Sequence, residues 1–543
     1  MQTITQMLGA VRRRTPDATA VAYRGRRLTF TELDDAARRA ARGLSELGVG
    51  PGDRVALWLP NSPAWLVLWL GAARLGAITV AVNTRFRAVE VADIVRRAGA
   101  KALALWPGFR GIPFLDILGE IDRSALERIE TLLLYEEADA GRGSSSAPAA
   151  LPASLAHCRR AAFPDLLERP TLDEDWAMSG DGSNMFTTSG TTRAPKFVLH
   201  SHASVTAHAL TMARELGYAA HPEGGALGAL PLCGVFGFCQ MTAALAAGCT
   251  LALTSAFDAA EAVRLVDEHR VRYLNVTDDM VMAMFDTTRR EIALPTVAAC
   301  GFAAFAAKPD ELLASAQARG LPLVGLYGMS EVQAFFSRQP LDAAPERRLL
   351  GGGVPLDPAA RVRVRNPESG RLLPAGESGE IELAGPSLMR EYFGNPTATE
   401  ETTTSDRFVR SGDLGHLTGD GGFVYLARMG DAMRLGGFLV SPAEIEGHLN
   451  EHPAVRGAQV VGVDTERGPR PVAFVTITAL GGFDEATLRD HCGRSLARFK
   501  VPARIFAVDE FPTTRSANGT KIRRAELRRM AHERLRAGAP KFA

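Results

Sequence analysis

The sequence of 543 residues has almost no excess of charge of either sign. Lysine and arginine together number 62 and aspartate and glutamate 61, which gives a formal net charge of +1. A nucleic-acid-binding surface needs a clear basic excess, because phosphate contacts dominate the affinity of such proteins. The balance therefore predicts that nucleic acid is not a partner.

Cysteine is scarce, and its spacing excludes the usual cysteine-based sites. The six cysteines include no CxxC pair and no histidine at zinc-ligand spacing. Small apolar core positions are the expected role of scattered cysteines. We expect a reducing, cytoplasmic environment, since disulfide frameworks are typical of oxidising compartments.

A continuous apolar segment of membrane type is also missing. The stretch 224–257 lacks charge and exceeds the ~20 residues of a membrane span, but Pro231 and six glycines interrupt it. Such punctuation is typical of strand, turn, helix and strand in a buried core. The N-terminus has no long apolar run after its basic residues, so no signal peptide and no integral membrane segment are expected.

The order of apolar segments predicts an α/β fold. The run "RRLTFTELDDAARRAARGLSELGV" places its leucines and alanines on one helical stripe, with Thr31 as the expected N-cap. The segments "RVALWLP" and "AITVAV" have the length of buried strands, and the helix-like "SPAWLVLWLGAARLG" lies between them. Alternation of this kind predicts sheets that are covered by helices on both faces.

Length and two changes of pattern predict the domain organisation. A chain of 543 residues is too long for a single core. Short strands separated by glycine and proline indicate a β-rich subdomain over about 350–428, and mixed helices and strands return after it. We therefore predict a large N-terminal domain, 1–429, of two helix-covered sheets plus this subdomain, and a small α+β C-terminal domain, 430–543.

The segment "MFTTSGTTRAPKFVLHSH", residues 185–202, concentrates hydroxyl groups around one glycine and one lysine. It does not match the P-loop of kinases and ATPases, because Pro195 stands where the second glycine is needed. Hydroxyls and backbone N–H groups can still donate to phosphate oxygens, and Lys196 adds a positive charge. From these residues alone, a phosphate loop and an ordinary Ser/Thr turn with a solvated lysine both remain open.

Six segments in a fixed order carry a family resemblance. The segments "TSGTTRAPK", "LYGMSE", "GEIELAGPSLMREYFGNPTAT", "FVRSGDLG", "ARMGDAMRLGGFLVSPAEIE" and "FPTTRSANGTKIRRAEL" resemble the signatures of the adenylate-forming, AMP-binding superfamily. The resemblance spans about residues 15–530 and indicates the acyl-CoA synthetase branch, with its fatty- and aryl-acid CoA ligases. It favours the phosphate loop over the Ser/Thr turn.

The resemblance implies a two-step reaction with ATP and CoA as co-substrates and Mg²⁺ as cofactor. A carboxylate attacks the α-phosphorus of ATP, pyrophosphate leaves, and the CoA thiol then displaces AMP from the acyl-adenylate. Two anions approach each other in the first step, which calls for preplaced donors and cations. By resemblance the catalytic residues are Lys521 and Glu331, and Glu331 is also the metal ligand.

The resemblance also implies the nucleotide contacts. The loop holds the β- and γ-phosphates, Tyr327 lies against the adenine, and Ser330 contacts the α-phosphate. Asp413 accepts hydrogen bonds from the ribose, with Arg428 as the companion ribose or phosphate contact. The predicted nucleotide-binding residues are Thr188, Ser189, Gly190, Thr191, Thr192, Lys196, Tyr327, Gly328, Met329, Ser330, Asp413 and Arg428.

For the second step the family's C-terminal domain rotates, so the resemblance implies a mobile domain here. The hinge position is Gly430, which adopts both required conformations without a Cβ penalty. Gly436 and Gly437 are the predicted strand glycines beside the pantetheine of CoA.

The predicted acyl pocket is small and apolar, which favours a fatty or aromatic acid. By resemblance its residues are Gly234, Phe236, Met280, Gly301, Phe302 and Ala303. Asp278 and Asp279 leave a polar group in this pocket as an open alternative. The sequence does not choose between chain lengths or between aryl and alkyl acids.

The phosphate loop departs from the family pattern at Arg193, Ala194 and Phe197, where glycine or a smaller residue is usual. We expect a stiffer loop, with Arg193 as an added phosphate contact. Two alternatives to the CoA ligase stay open: an acyl-AMP ligase that loads a carrier protein, and a non-catalytic nucleotide-binding homologue. Either a monomer or a homodimer is compatible with the sequence.

Overall fold

The computed structural model describes most of the chain in a mixed α/β fold. Within it, the described residues are 2–137, 151–188, 195–221, 223–303, 309–431, 433–435, 438–465, 468–478, 482–496, 498–516 and 519–537.

Regular elements account for most of the described chain. The α-helices, numbered α1 to α17 in chain order, are Ile4–Arg14, Phe30–Glu46, Pro63–Arg74, Ala88–Ala98, Phe114–Gly119, Arg123–Leu126, Phe163–Leu167, His202–Glu215, Val235–Ala247, Ala259–Glu268, Asp278–Thr287, Pro309–Ala318, Pro345–Arg348, Pro396–Thr402, Pro442–Asn450, Glu485–Ser495 and Arg524–Ala537. The strands, numbered β1 to β28, are Thr19–Tyr23, Arg26–Thr29, Arg54–Trp58, Ile78–Ala81, Ala102–Leu105, Thr131–Leu134, Arg159–Ala162, Gly182–Thr187, Phe197–Ser201, Ala226–Gly228, Leu251–Leu253, Tyr273–Thr277, Ala299–Ala303, Leu323–Tyr327, Ser337–Arg338, Gly352–Pro355, Arg361–Arg365, Gly379–Ala384, Glu391–Tyr392, Val409–Leu417, Phe423–Arg428, Met433–Leu435, Phe438–Val440, Val455–Thr465, Gly468–Ile477, Arg504–Ala507, Thr513–Ser516 and Gly519–Ile522.

The N-terminal part contains an eight-stranded sheet in the order β19-β9-β8-β4-β3-β5-β6-β7. Its centre is parallel, and β9 and β19 add to one edge in antiparallel orientation. The alternation predicted around β3, α3 and β4 is confirmed. The cap of α2 was predicted wrongly: the Thr29 hydroxyl, and not Thr31, accepts the N–H of Glu32 at 3.1 Å. Thr31 instead donates its hydroxyl to the carbonyl of Pro16.

A nine-stranded sheet follows in the order β12-β13-β14-β15-β16-β21-β20-β18-β17. Its first three strands are parallel and the others antiparallel. Residues 350–428 supply five of its strands, so this β-rich region continues the sheet that begins with β12. The exception is β19, which leaves this sheet and pairs with β9 of the other one.

The uncharged stretch 224–257 folds as β10, α9 and β11, which confirms the predicted strand, helix and strand. Every residue of α9 is buried, because it packs inside the largest hydrophobic core. A helix with no water-facing side has no position that favours charge. No helix in the described ranges has the length and apolarity of a membrane span.

The smaller C-terminal part has its own core around the sheet β24-β25-β26, with α15, α16 and α17 packed on it. Arg524 joins α17 to α15 through a 2.8 Å ion pair with Glu446. Two hairpins, β22–β23 and β27–β28, complete this part. The α/β class with a large N-terminal and a small C-terminal domain is confirmed; the boundary at 429/430 stays a prediction.

Candidate nucleotide site

The strands β8 and β9 form the base of the predicted phosphate loop. Their pairing ends at Thr187 and Phe197. One step further, the Thr188 N–H donates to the carbonyl of Lys196 at 3.0 Å, and the Lys196 N–H donates to the Thr188 hydroxyl at 3.1 Å. These two hydrogen bonds join the first and last residues of the loop. Of the predicted ligands, Ser189, Gly190, Thr191 and Thr192 lie outside the described residues, as does Arg193.

Phe197 belongs to the strand that carries the loop and not to the loop itself. It is 2% exposed and starts β9. The Arg97 guanidinium lies 4.6 Å from the centre of its ring and donates to the carbonyl of Pro195 at 2.7 Å. Asp93 pairs with the same guanidinium at 2.7 Å. An aromatic residue at 197 thus strengthens the base of the loop through core packing and a cation–π contact.

The segment "LYGMSE" turns tightly at the carboxyl end of β14. The strand ends at Tyr327, and a single 3-10 turn follows over Ser330–Val332. Gly328 has no room for a side chain, because an added Cβ would overlap the carbonyl oxygen of Ala334. The chain doubles back here through Gln333 and Ala334, whose φ angles are 61° and 62°. Only glycine fits the position at 328.

Tyr327, Asp413 and Arg428 form a hydrogen-bonded and ion-paired cluster beside this turn. The Tyr327 hydroxyl donates to Asp413 Oδ2 at 2.6 Å. Arg428 Nη1 lies 3.0 Å from Asp413 Oδ1. Asp413 lies within β20, directly opposite Arg428 on β21. The structure therefore joins the predicted adenine residue to both predicted ribose residues.

Burial makes Asp413 a weak acid for its type. Its side chain is only 4% exposed, and burial raises its pKa to about 6, although Arg428 and Tyr327 act in the opposite direction. Over the range between its ordinary pKa and about 6, the folded protein holds a proton that the unfolded chain has released. The contribution of this group to stability is thus largest at low pH and is lost as the pH rises through about 6.

Nucleoside binding is expected to show the opposite dependence. Ribose hydroxyls donate to an ionised carboxylate, so protonated Asp413 binds them poorly. We expect the Kd of adenosine, which does not titrate in this range, to be about tenfold higher at pH 5 than at pH 8. Calorimetric titration at both pH values measures this. The Asp413→Asn variant is expected to bind weakly at both, and a pH-independent Kd in the native chain would contradict the assignment.

Glu331 and Lys196 meet at one aromatic side chain, Tyr392. The Tyr392 hydroxyl donates to Glu331 Oε1 at 2.7 Å. Lys196 Nζ lies 4.3 Å from the centre of the Tyr392 ring. Tyr392 is not among the predicted site residues, although it lies in the segment "GEIELAGPSLMREYFGNPTAT". Only its place in this motif could have identified Tyr392 as a site residue. No local sequence pattern predicts a contact with residues 60 or more positions away.

A second missed residue is His200 on β9. It is fully buried, and its Nε2 donates to the carbonyl of Ser330 at 2.8 Å. Burial lowers its pKa to about 4, so the ring is neutral at pH 7. A neutral ring that donates from Nε2 holds the Ser330 turn against β9. The segment "KFVLHSH" contains His200, but nothing in the sequence predicts its hydrogen bond to Ser330.

The predicted acyl-pocket residues do not all meet. Gly234 precedes α9, and the ring of Phe236 lies 5.1 Å from that of Phe335. Met280 and Ala303 pack against the same core cluster as these two phenylalanines. Met280 also packs against the second core cluster, which contains Phe302.

Two other predicted pocket residues behave differently. Phe302 is buried in a separate core cluster with α11 and α12, because alternate residues of β13 face opposite sides of the sheet. Gly301 is closely covered, since an added Cβ would overlap Asn275 Oδ1 and lie 2.9 Å from Leu326 Cδ1. Of the acidic pair, Asp279 is exposed and donates its N–H to the Asp278 carboxylate at the start of α11.

The C-terminal predictions fall partly outside the described residues. Lys521 lies opposite Thr514 in the β27–β28 hairpin, but its side chain is outside the described part. Gly436 and Gly437 also lie outside it. Gly430 follows the last strand of the large sheet by two residues, and its carbonyl accepts from Arg528 at 2.7 Å. An added Cβ at Gly430 would meet nothing within 4 Å.

Comparison with known proteins gives two kinds of likeness. A family model described as AMP-binding enzyme matches residues 9–393, and one described as AMP-binding enzyme C-terminal domain matches residues 444–518. The 2-succinylbenzoate–CoA ligase of Geobacillus kaustophilus is 31% identical over 520 residues, which cover 95% of this chain and 96% of that protein. A feruloyl-CoA synthase of Amycolatopsis is 31% identical over 524 residues, with the same two coverages.

Solved structures share the fold over nearly the whole chain. ATP-bound MatB from Rhodopseudomonas palustris matches with a TM-score of 0.81 at 24% identity, covering 97% of this chain and 99% of that one. The anthranilate CoA ligase AuaEII in complex with anthranoyl-AMP matches with a TM-score of 0.79 at 24% identity, covering 99% and 98%. The two family-model matches leave residues 394–443 between them, and the predicted boundary at 429/430 lies in that interval.

Proposed function

The chain belongs to the family of AMP-binding enzymes, and we propose that it is an ATP-dependent acyl-CoA synthetase. It converts a carboxylic acid, ATP and CoA into acyl-CoA, AMP and pyrophosphate through an acyl-adenylate. The observation that carries this proposal is the cluster at the carboxyl end of β14, where Tyr327, Asp413 and Arg428 lie together. Glu331 lies four residues after Tyr327, in the turn that follows this strand. Two relatives at 31% identity are a CoA ligase and a CoA synthase, which supports the same reaction.

In the first step the chain binds ATP and aligns its α-phosphorus with the acid. Asp413 and Arg428 hold the ribose, and the Tyr327 ring flanks the adenine. Lys196 and the loop 188–196 neutralise the outgoing pyrophosphate. Lys521 stabilises the pentavalent phosphorus, where negative charge develops in the transition state.

Glu331 suits a magnesium ion as the single protein ligand. It offers a buried carboxylate, and the described residues contain no group of three or more acidic, histidine or cysteine side chains that would form an all-protein cage. Mg²⁺ is commonly held by one or two carboxylates together with substrate phosphates and water. When bound, it would neutralise phosphate charge and polarise the phosphoryl oxygens.

The second step requires a different position of the C-terminal domain. Rotation about Gly430 withdraws Lys521 and brings Gly436 and Gly437 beside the pantetheine of CoA. The thiol then attacks the acyl carbonyl, AMP leaves, and the thioester is released.

The acid is proposed to be apolar, fatty or aromatic. Phe236 belongs to the largest apolar core, Met280 and Ala303 pack against it, and Gly234 precedes α9 without adding a side chain. Asp279 is exposed but Asp278 is buried, so a polar group on the acid stays the alternative. We further propose a cytoplasmic protein that acts as a monomer or a homodimer.

The test is pyrophosphate release from Mg·ATP across a panel of fatty and aryl acids, with and without CoA. Acid-dependent release with thioester formation in the presence of CoA supports the ligase. Acid-dependent release without any thioester would indicate transfer to a carrier protein instead. No release from any acid, with ATP still bound, would indicate a non-catalytic homologue.

A further inference from the structure

Tyr392 occupies a fixed position between the two halves of the nucleotide site. It is 3% exposed and lies in the two-residue strand β19, opposite Val198 of β9. Its N–H donates to the hydroxyl of Thr399 at 3.0 Å. The neighbouring Phe393 N–H donates to the carbonyl of Phe197 at 2.9 Å. The backbone of Tyr392 is therefore tied to the strand that carries the phosphate loop.

The side chain of Tyr392 contacts an anion through its hydroxyl and a cation through the face of its ring. The hydroxyl donates to Glu331 Oε1 at 2.7 Å, and the ring face meets Lys196 Nζ at 4.3 Å. The hydroxyl is the donor in this contact, because an ionised carboxylate can only accept. Both contacts are favourable: a charge-assisted hydrogen bond and a cation–π contact.

Glu331 and Lys196 do not pair with each other, although Tyr392 contacts both. Within the described part of the chain, neither has an ion-pair partner within 4.0 Å. A direct ion pair in a partly buried site would be strong and would have to break before phosphate and metal could bind. Tyr392 gives each charge a neutral partner: its hydroxyl holds Glu331 through Oε1 and leaves Oε2 to a metal ion, and its ring lies against the Lys196 ammonium without neutralising it.

We propose that Tyr392 is a positioning residue that keeps Lys196 and Glu331 apart, so that the ammonium remains available to ATP phosphates and the carboxylate to Mg²⁺. The proposal rests on the nucleotide-binding part of the proposed function. The Tyr392 hydroxyl orients Glu331, the proposed metal ligand, and the Tyr392 ring positions Lys196, the proposed phosphate ligand. Two substitutions separate these roles, because phenylalanine keeps the ring and leucine keeps neither.

The test measures binding without turnover, with α,β-methylene-ATP, which cannot release pyrophosphate. In Tyr392→Phe, we expect the affinity for this nucleotide in EDTA to be unchanged. The apparent affinity for Mg²⁺ in the presence of the nucleotide should be about tenfold weaker. In Tyr392→Leu, we expect the same metal effect and, in EDTA, an about threefold to tenfold loss of nucleotide affinity. Tyr135→Phe, in a buried tyrosine that packs between Trp106 and Phe163, is the matched control and should change neither.

A double substitution distinguishes positioning from a general loss of structure. In a Lys196→Ala background, the additional effect of Tyr392→Leu on metal-free binding should disappear, because the lysine on which the ring acts is gone. Persistence of the full effect in that background would overturn the proposal, as would an unchanged Mg²⁺ affinity in Tyr392→Phe. A chain that shows the expected binding pattern but no ligase activity would contradict the proposed reaction and leave the role of Tyr392 standing. Absence of nucleotide binding by the native chain would overturn both.

Discussion

Lys521→Ala is expected to lower acyl-adenylate formation by about a hundred- to thousandfold, the usual effect of removing one preplaced transition-state donor. The charge that develops on the α-phosphate during attack by a carboxylate needs a cation at that atom. Thioester formation from preformed acyl-adenylate is expected to continue at near-native rate, because the proposed rotation of the C-terminal domain withdraws Lys521 before the CoA thiol attacks. The two half-reactions are measured separately, by pyrophosphate release and by thioester formation.

Arg523→Ala is the control for this substitution. Arg523 is the first residue after the β27–β28 hairpin that carries Lys521. Its exposed side chain pairs with Glu526 at 2.6 Å. Its removal changes the local charge equally, and we expect both half-reactions to remain within about twofold, since surface pairs contribute little. If Lys521→Ala slowed both half-reactions alike, or if Arg523→Ala matched it, Lys521 would not have the proposed role.

Gly328→Ala is expected to destabilise the protein by about 3 kcal/mol and to remove nucleoside binding. An added methyl group overlaps the carbonyl oxygen of Ala334, which is main chain and cannot rotate away. The only relief is a shift of the turn, which carries Tyr327 on one side and Ser330 and Glu331 on the other. Thermal unfolding without ligand measures the first effect, and calorimetric titration with adenosine measures the second.

The same chemical change at Gly447 provides the matched control. Gly447 lies within α15, and an added Cβ there would meet nothing within 4 Å. Alanine at this helical position should stabilise by about 0.5–1 kcal/mol and leave adenosine binding unaltered. A Gly328→Ala variant that unfolds and binds like the native chain would show that the turn can adjust, contrary to the steric argument.

The connection between the two large sheets explains how the site is held together. Most of residues 350–428 continue the nine-stranded sheet, but β19 crosses to the eight-stranded sheet and pairs with β9. From β9, His200 reaches the carbonyl of Ser330 on the other side. The predicted phosphate loop belongs to one sheet and the predicted adenine and ribose residues to the other, and these two contacts are among those that join them.

Local patterns were sufficient for much of the fold, whereas the site residues follow from the family resemblance and stay a prediction. Alternating strand and helix periods predicted α3 between β3 and β4, and glycine and proline punctuation separated 224–257 into β10, α9 and β11. The wrong prediction of the α2 cap was also local in origin. Thr29 and Thr31 are both plausible caps, and the choice depends on which one the folded chain turns at. Phe302 lies between two predicted pocket residues in sequence; strand alternation places it in a second core cluster, and its place in the pocket stays a prediction.

The sequence by itself determined the element types, the family and the chemical nature of the loop, because periodicity and motif order depend on residues near each other in the chain. The tertiary structure alone decided which of these residues meet. Tyr327 and Asp413 are 86 positions apart, and Tyr392 and Glu331 are 61 apart. Such pairs are set by the order of strands in the sheets and by the crossing of β19. Strand order depends on burial summed over the whole domain, which no local pattern contains.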